Sequence, residues 1–187
     1  MLQTVLLLTL AAAPTPQGKV RFGDAGTWSP SGSLSFSHQR YDAGGAGTFA
    51  RNELVLAPRL DYFVVDNLSV GVGLLASVEW RGDLKNNAVG MSLGAGYNLW
   101  IAKRVSLDPQ LDLAFVHTWT SGENYDAISQ QTLNLVARLP LLVHFDHLYL
   151  GMGPTVRQRL FTRDDFLGAT YPTTNVRFSM FVGGWID

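Results

Sequence analysis

A chain of 187 residues is long enough for one domain with a substantial buried interior and too short for two ordinary ones. Its 14 basic and 15 acidic residues give a net charge of -1, which excludes the basic surface of a nucleic-acid-binding protein, and the absence of cysteine excludes disulfides and thiolate chemistry. Hydrophobic residues make up 47% of the chain, yet no apolar run beyond the N-terminal segment is long enough for a membrane-spanning helix, so a helical membrane protein is also excluded.

The first 13 residues predict a secretory signal peptide. An apolar core over residues 5–10 precedes three alanines, and Pro14 then ends any helix. An ordinary apolar N-terminal helix or strand is the alternative interpretation. Residues 14–32 are rich in Pro, Gly, Ser and Thr, which predicts an irregular lead-in.

From residue 33 to residue 187 the pattern predicts strands, because apolar residues recur at every second position. In the segment 105–119, for example, Leu111 and Leu113 alternate with Gln110 and Asp112. Eight strands are predicted, at residues 33–42, 52–64, 68–80, 88–101, 105–119, 129–143, 148–162 and 175–186.

The connections between these strands alternate in length. Three are tight turns, at residues 65–67, 102–104 and 145–147, and four are longer and polar, at residues 43–51, 81–87, 120–128 and 163–174. Outer-membrane barrels have short periplasmic turns and long external loops. We therefore predict an all-β fold, an eight-stranded antiparallel up-and-down transmembrane β-barrel with both chain ends on the periplasmic side.

The face opposite the apolar one carries five acids and five arginines. They are Glu53, Asp61, Glu79, Asp108, Asp112, Arg59, Arg138, Arg157, Arg159 and Arg177. Many small residues share this face, as a narrow lumen requires, and an unpaired buried charge would cost several kcal/mol. We therefore predict a closed lumen with a network of ion pairs, while the apolar face contacts lipid.

Three aromatic residues predict anchors at the membrane interface. Trp80 and Trp119 lie at the loop ends of their strands and Tyr62 lies near a tight turn, all on the apolar face. Amphipathic rings favour the boundary between lipid and water, although aromatic residues also favour strands in general.

Four prolines fall inside the predicted strands: Pro58, Pro109, Pro140 and Pro154. Each lacks the N–H group that a ladder needs, and a closed barrel has no free edge for it. We expect bulges or local bends at these positions. If the segments were edges instead, an open sandwich would be favoured.

With the strands placed, residues 33–186 resemble the small OmpA/OmpX-type outer-membrane barrels in pattern, without a shared motif. The resemblance implies a bacterial outer-membrane location, contact with outer-membrane lipid, and insertion by the outer-membrane assembly machinery with periplasmic chaperones. It also implies a structural or surface-interaction role, with the external loops available to a partner, and we expect a monomer. The chain departs from the family at its end, because the usual terminal Phe is replaced by Gly184-Trp185-Ile186-Asp187, so recognition would have to use Trp185 or a different signal.

No motif predicts catalysis, and we expect a protein that is not an enzyme. The nearest catalytic set is His117 with Ser121 and Glu123, the groups that a lipid hydrolase would need near the external rim. However, His117 shares the lipid-facing side with Trp119. An outer-membrane lipid hydrolase therefore stays a second alternative.

A metal site is not predicted either. His144 and His147 flank a turn with Asp146, but two imidazoles and a carboxylate on an exposed turn are more typical of polar turn residues. We expect no metal and no cofactor. The first alternative to the membrane barrel is a soluble lipocalin-like barrel with apolar side chains around a ligand. The two barrels differ in whether the side chains of Leu150 and Arg157 point into the barrel or away from it.

Overall fold

The computed structural model describes residues 20–42, 48–82, 84–122, 125–164 and 173–186. Its strands are β1 (Trp28–Asp42), β2 (Thr48–Val65), β3 (Leu68–Arg81), β4 (Leu84–Tyr97), β5 (Leu99–Ala102), β6 (Val105–Leu107), β7 (Gln110–Gly122), β8 (Tyr125–Arg138), β9 (Leu141–Phe145), β10 (Leu148–Asp164) and β11 (Thr174–Gly184). Within these described ranges, no helix has the length and apolar character needed to cross a membrane.

The strands form one antiparallel sheet that closes into a ring of eight strands. Around the ring, β1, β2, β3, β4, β7, β8, β10 and β11 pair in that order, and β11 pairs with β1. The short strands β5, β6 and β9 continue β4, β7 and β8 at one end, where β5 pairs with β6, β6 with β9 and β9 with β10. The predicted all-β antiparallel fold and the count of eight strands are therefore confirmed.

The three predicted tight turns are present, each with two residues between paired strands. Asn67 and Asp146 have φ angles of 65° and 51°, in the left-handed region that Asn and Asp tolerate better than most residues. This end of the ring also holds both described chain ends, since Trp28 bridges Ile186. We refer to it below as the turn end.

The strands extend further from the turn end than the sequence predicted. β3 pairs with β4 as far as Arg81 and Leu84, and β7 pairs with β8 as far as Gly122 and Tyr125. The prediction of long connections at residues 81–87 and 120–128 is therefore wrong. Polar side chains do not end a ladder, because its hydrogen bonds join backbone groups.

Two of the four prolines lie at breaks in the strands. Pro109 follows β6 and Pro140 follows β8, and backbone hydrogen bonds bridge both breaks. The N–H of Tyr97 donates to the oxygen of Pro109 at 3.0 Å, and the N–H of Asp108 donates to that of Pro140 at 3.0 Å. The other two prolines remain inside β2 and β10, but each faces a gap in a ladder, because Pro58 has no register partner in β3 and Pro154 has none in β8 or β9.

The alternation between the two faces of the ring is as predicted. Leu111 is 53% exposed and Leu150 is 51% exposed on the outer face, whereas Asp112 on the inner face is 1% exposed. Arg157 lines the interior. The outer face of the ring is thus apolar and the inner face is polar.

Residues 20–27 enter the ring at the turn end. The N–H of Gly26 donates to the oxygen of Phe63 at 2.8 Å, and the N–H of Phe63 donates to the oxygen of Thr27 at 3.0 Å. β1 begins at Trp28, five residues earlier than predicted. The described part of the lead-in is irregular only over residues 20–27, because residues 28–32, which were predicted to be irregular, belong to β1. The irregular part packs within the ring.

Candidate functional site

The inner face of the ring holds three successive layers. Four inward-facing residues of β2 mark these layers in order from the turn end, namely Phe63, Asp61, Arg59 and Glu53. Phe63 belongs to the aromatic cluster, which consists of Phe22, Phe63, Leu142, Tyr149 and Trp185. Next comes the ion-pair cluster of Arg59, Asp61, Asp112 and Arg138. The third layer is a polar space of about 520 Å³, the outer cavity.

The aromatic cluster fills the turn end. The ring of Phe22 lies 5.0 Å from that of Phe63, 5.1 Å from that of Tyr149 and 5.8 Å from that of Trp185. The Tyr149 hydroxyl hydrogen-bonds Ser29 Oγ at 2.9 Å. Trp185 is 7% exposed and therefore points into the ring, so in the folded chain it is not available as an outward-facing terminal aromatic residue.

The ion-pair cluster joins opposite sides of the ring. Arg59 Nη2 lies 2.7 Å from Asp61 Oδ1, and Arg59 Nη1 lies 2.6 Å from Asp112 Oδ1. Arg138 binds the second oxygen of Asp112. Two arginines and two aspartates neutralise each other here, which is the condition for burying charge at acceptable cost.

Two glycines make room for these carboxylates. Asp61, Gly71, Gly94 and Asp112 are consecutive register partners across β2, β3, β4 and β7. A Cβ on Gly71 would overlap the Asp61 carboxylate, and a Cβ on Gly94 would overlap the Asp112 carboxylate. The ion-pair cluster therefore depends on glycine in both central strands.

Asp108, which we predicted in the network, is not paired with an arginine. Its Oδ2 accepts a hydrogen bond from Gln110 Nε2 at 2.7 Å. The residue is 6% exposed. Gln110 lies two residues further along the chain and faces the same side, so its side-chain amide binds Asp108 where we expected an arginine.

The outer cavity contains the remaining predicted charges but not a continuous network. Glu79 pairs at 2.7 Å with Arg51, which lies in a strand and not in the predicted loop over residues 43–51. Among the side chains that the structure describes, no carboxylate lies within 4 Å of Arg157, Arg159 or Arg177. The prediction of one network of ten residues is therefore wrong. A strand pattern shows which residues share a face, but not their distances across the lumen.

A gap in the sheet adjoins this cavity, and the sequence pattern did not predict it. β1 and β11 share only two register pairs, Ser31 with Gly183 and Gly32 with Val182, in addition to the bridge at the turn end. By contrast, β1 pairs with β2 along its whole length. Residues 33–38 of β1 and 174–181 of β11 pair with β2 and β10 but not with each other. These two stretches are called the seam below. The signal in the sequence is weak: β1 carries Pro30 and Gly32 beside its two pairs with β11, and both residue types weaken a ladder.

The predicted interfacial aromatics lie on the outer face near the two ends of the ring. Tyr62 packs on Trp28 near the turn end, with ring centroids 4.7 Å apart. Trp80 packs on Phe36 at 6.3 Å towards the opposite end. The structure thus places all three predicted residues, Tyr62, Trp80 and Trp119, where the strand pattern put them.

The candidate hydrolase residues do not form a catalytic group. The ring of His117 lies 5.6 Å from that of Trp119 on the outer face. In the described part of the chain, His117 has no hydrogen bond to Ser121, and Glu123 lies outside the described residues.

The residues of the histidine turn point in different directions. His144 is buried in the ring, where its Nε2 hydrogen-bonds Ser106 Oγ at 2.8 Å, while Asp146 and His147 are exposed. Among the residues that the structure describes, no group of three or more His, Asp and Glu side chains could hold a metal ion. His144 therefore serves packing at the turn end.

Comparison with known proteins does not identify a family, because no protein-family model and no curated protein matches this chain significantly.

Proposed function

We propose that this protein is a non-enzymatic outer-membrane β-barrel, exported across the inner membrane and inserted into a bacterial outer membrane. Its role is structural or surface-interacting, and outer-membrane lipid is its immediate partner. The observation that carries this proposal is the reversed polarity of the ring, with large apolar residues outside and buried carboxylates inside. A water-soluble protein rarely exposes a continuous apolar surface of this kind.

The height of the apolar surface supports a membrane-spanning ring. On β3 every outward position from Leu68 to Val78 is apolar and exposed. These eleven residues extend about 34 Å along the strand. At a tilt of about 40° they would form a band roughly 25 Å tall, which is the height of the apolar band in outer-membrane barrels.

The same polarity argues against the lipocalin-like alternative. A lipocalin places apolar side chains around a central ligand and polar side chains towards water. Here Val72 and Leu111 are both more than half exposed, while Asp61 is 5% exposed and Asp112 is 1% exposed. In water this ring would expose its apolar face to solvent, and its interior would offer charged side chains and not an apolar pocket to a ligand.

Two layers support a closed lumen. The aromatic cluster fills the turn end, and the ion-pair cluster crosses the ring above it. An eight-stranded barrel has an interior just wide enough for its own side chains. We therefore infer an anchor or interaction scaffold and not an open channel.

Extraction and electrophoresis test the proposal. Protein expressed with its N-terminal segment in a bacterium with an outer membrane is expected in the outer-membrane fraction, soluble only with detergent. The folded ring should migrate faster before boiling than after it. Protein that remains soluble without detergent and shows no heat-dependent migration would refute the membrane location, and steady conductance in a planar bilayer would refute the closed lumen.

A further inference from the structure

We propose that the seam between β1 and β11 is a lateral binding site for a single-chain anionic amphiphile, such as a long-chain carboxylate. Its acidic head would lie inside the ring between Arg157 and Arg177, and its tail would follow the outer face beside Leu34 and Met180. This inference rests on the proposed function, since it requires the outer face to lie in lipid.

The first support is the gap in the ladder. Beyond Gly32 and Val182, the two strands share no register pair among the described residues, although β10 pairs with β11 from Leu148 to Gln158 on the other side. Unpaired backbone N–H and C=O groups in hydrocarbon cost several kcal/mol each. Such a gap is stable only where a polar cavity or a bound molecule satisfies those groups.

The second support is a cavity of about 360 Å³ that borders the seam. Consecutive residues of both strands line it, over 31–35 in β1 and 178–181 in β11. It meets the outer cavity, because Arg157 and Arg177 line both. The seam therefore separates a basic interior from the lipid-facing surface.

The third support is charge. Arg157 and Arg177 are diagonal neighbours on the same face of adjacent strands, because Arg157 pairs with Asn175, two residues from Arg177, and Thr155 pairs with Arg177. Glu53 and Glu79 line the outer cavity, but neither they nor any other described carboxylate lies within 4 Å of these two guanidinium groups. Two adjacent cations repel each other, and a carboxylate between them would accept paired hydrogen bonds from both.

The outer side of the seam supplies the apolar half of the site. Leu34 is 72% exposed, Phe178 is 69% exposed and Met180 is 67% exposed. A gap between two strands admits one extended chain more readily than two. For this reason the site fits a single acyl chain better than a two-chain phospholipid.

Binding of a fluorescent long-chain carboxylate to the protein in neutral detergent micelles tests the head-group site. We expect saturable binding that weakens by about tenfold or more in the double variant Arg157→Gln with Arg177→Gln. Arg159→Gln is the matched control, because Arg159 lines the outer cavity but not the cavity at the seam. A trimethylammonium probe with the same chain should not bind saturably, and an alkyl phosphate probe distinguishes phosphate heads from carboxylate heads.

Closing the seam tests the position of the site. Cysteines at Leu34→Cys and Met180→Cys would face each other if the ladder continued, and the chain has no other cysteine. Their disulfide should abolish binding, and reduction should restore it. A disulfide between Leu34→Cys and Leu56→Cys, which are register partners in β1 and β2, is the control that leaves the seam open.

The outcomes separate the two proposals. Heat-modifiable protein that binds no carboxylate probe, or binds it equally in the double-arginine variant, would overturn the seam site alone. A dimer linked through the seam cysteines would also overturn it, because a second copy would then cover the gap. Loss of heat-dependent migration and of detergent dependence would instead refute the membrane location.

Discussion

The ion-pair cluster and the outer cavity contain the same kinds of residue but place charge in opposite ways. In the cluster, Arg59 lies within 2.7 Å of Asp61 and Asp112, and Asp112 is almost completely buried. In the cavity, Arg157 and Arg177 face a space of about 520 Å³ without a described carboxylate within 4 Å. Buried charge must be paired, whereas charge beside a polar cavity can be hydrated or left available for a ligand.

Side-chain size on β3 and β4 contributes to this difference. At the level of the cluster, these strands pair Gly71 with Gly94, and the space beside them is occupied by the aspartates and Arg59. At the level of the cavity, the same strands pair Ser77 with Ala88. The glycines leave room for the carboxylates against the wall of the ring, whereas Ser77 and Ala88 occupy part of that space with their own side chains.

The largest expected effect comes from unpairing the cluster. Asp112→Ala should lower the free energy of unfolding by about 3–5 kcal/mol, because it leaves Arg59 and Arg138 without their shared partner. Urea unfolding from lipid vesicles, followed by tryptophan fluorescence, measures this loss. The control Glu79→Ala should cost about 0–1 kcal/mol, since its partner Arg51 has a side chain that is 38% exposed. Equal losses would contradict the comparison.

The sequence predicted which residues share the lumen but not how they group. Alternation alone assigned Asp61 and Asp112 to one face correctly. Whether the two aspartates lie close enough to share Arg59 depends on strand register, and β2 has a register shift between Phe63 and Val65. Counting back from the tight turn without that shift would place Asp61 beside Val72 instead of Gly71. A bulge of this kind leaves no mark in the pattern of residue types.

The seam was beyond sequence reasoning for a similar reason. Ring closure pairs the first strand with the last, so no tight turn relates their registers. The alternation of β1 and β11 predicts a face for each residue but not where their ladder ends. The lead-in shows a different limit, because its composition predicted the irregular residues 20–27 but neither the strand over residues 28–32 nor the packing of Phe22 inside the ring.

The second prediction concerns where the ring tolerates an added arginine. Leu113→Arg on the outer face should destabilise the folded ring in vesicles by about 2–4 kcal/mol, because it places a charge in lipid. Thr118→Arg, which adds the charge to the wall of the outer cavity, should cost about 1 kcal/mol or less. The same unfolding assay compares the two variants. A larger loss for Thr118→Arg would refute the reversed polarity in a membrane.

The third prediction tests the glycines behind the cluster. Gly94→Ala should destabilise the ring by about 1–3 kcal/mol, since the added methyl group would overlap the Asp112 carboxylate and the Leu111 carbonyl oxygen. Gly32→Ala is the control, because the nearest atom to its added methyl group would be 3.4 Å away. Unfolding midpoints in urea measure both. If Asp112→Ala is combined with Gly94→Ala, the glycine substitution should lose only part of its own effect, because the carboxylate is gone but the clash with the Leu111 carbonyl oxygen remains.

The smallest expected effect has the opposite sign. Arg159→Gln should stabilise the ring by up to about 0.5 kcal/mol at low salt, because it removes one of three neighbouring arginines that line the outer cavity. This gain should disappear at 1 M salt, where the screening length falls to about 3 Å. The loss from Asp112→Ala should change little with salt, since its charges are buried. The free energy of unfolding of both variants at low and high salt therefore distinguishes a hydrated cavity from a second buried cluster. If Arg159→Gln lowers this free energy by an amount that salt does not alter, the arginines of the outer cavity are paired after all.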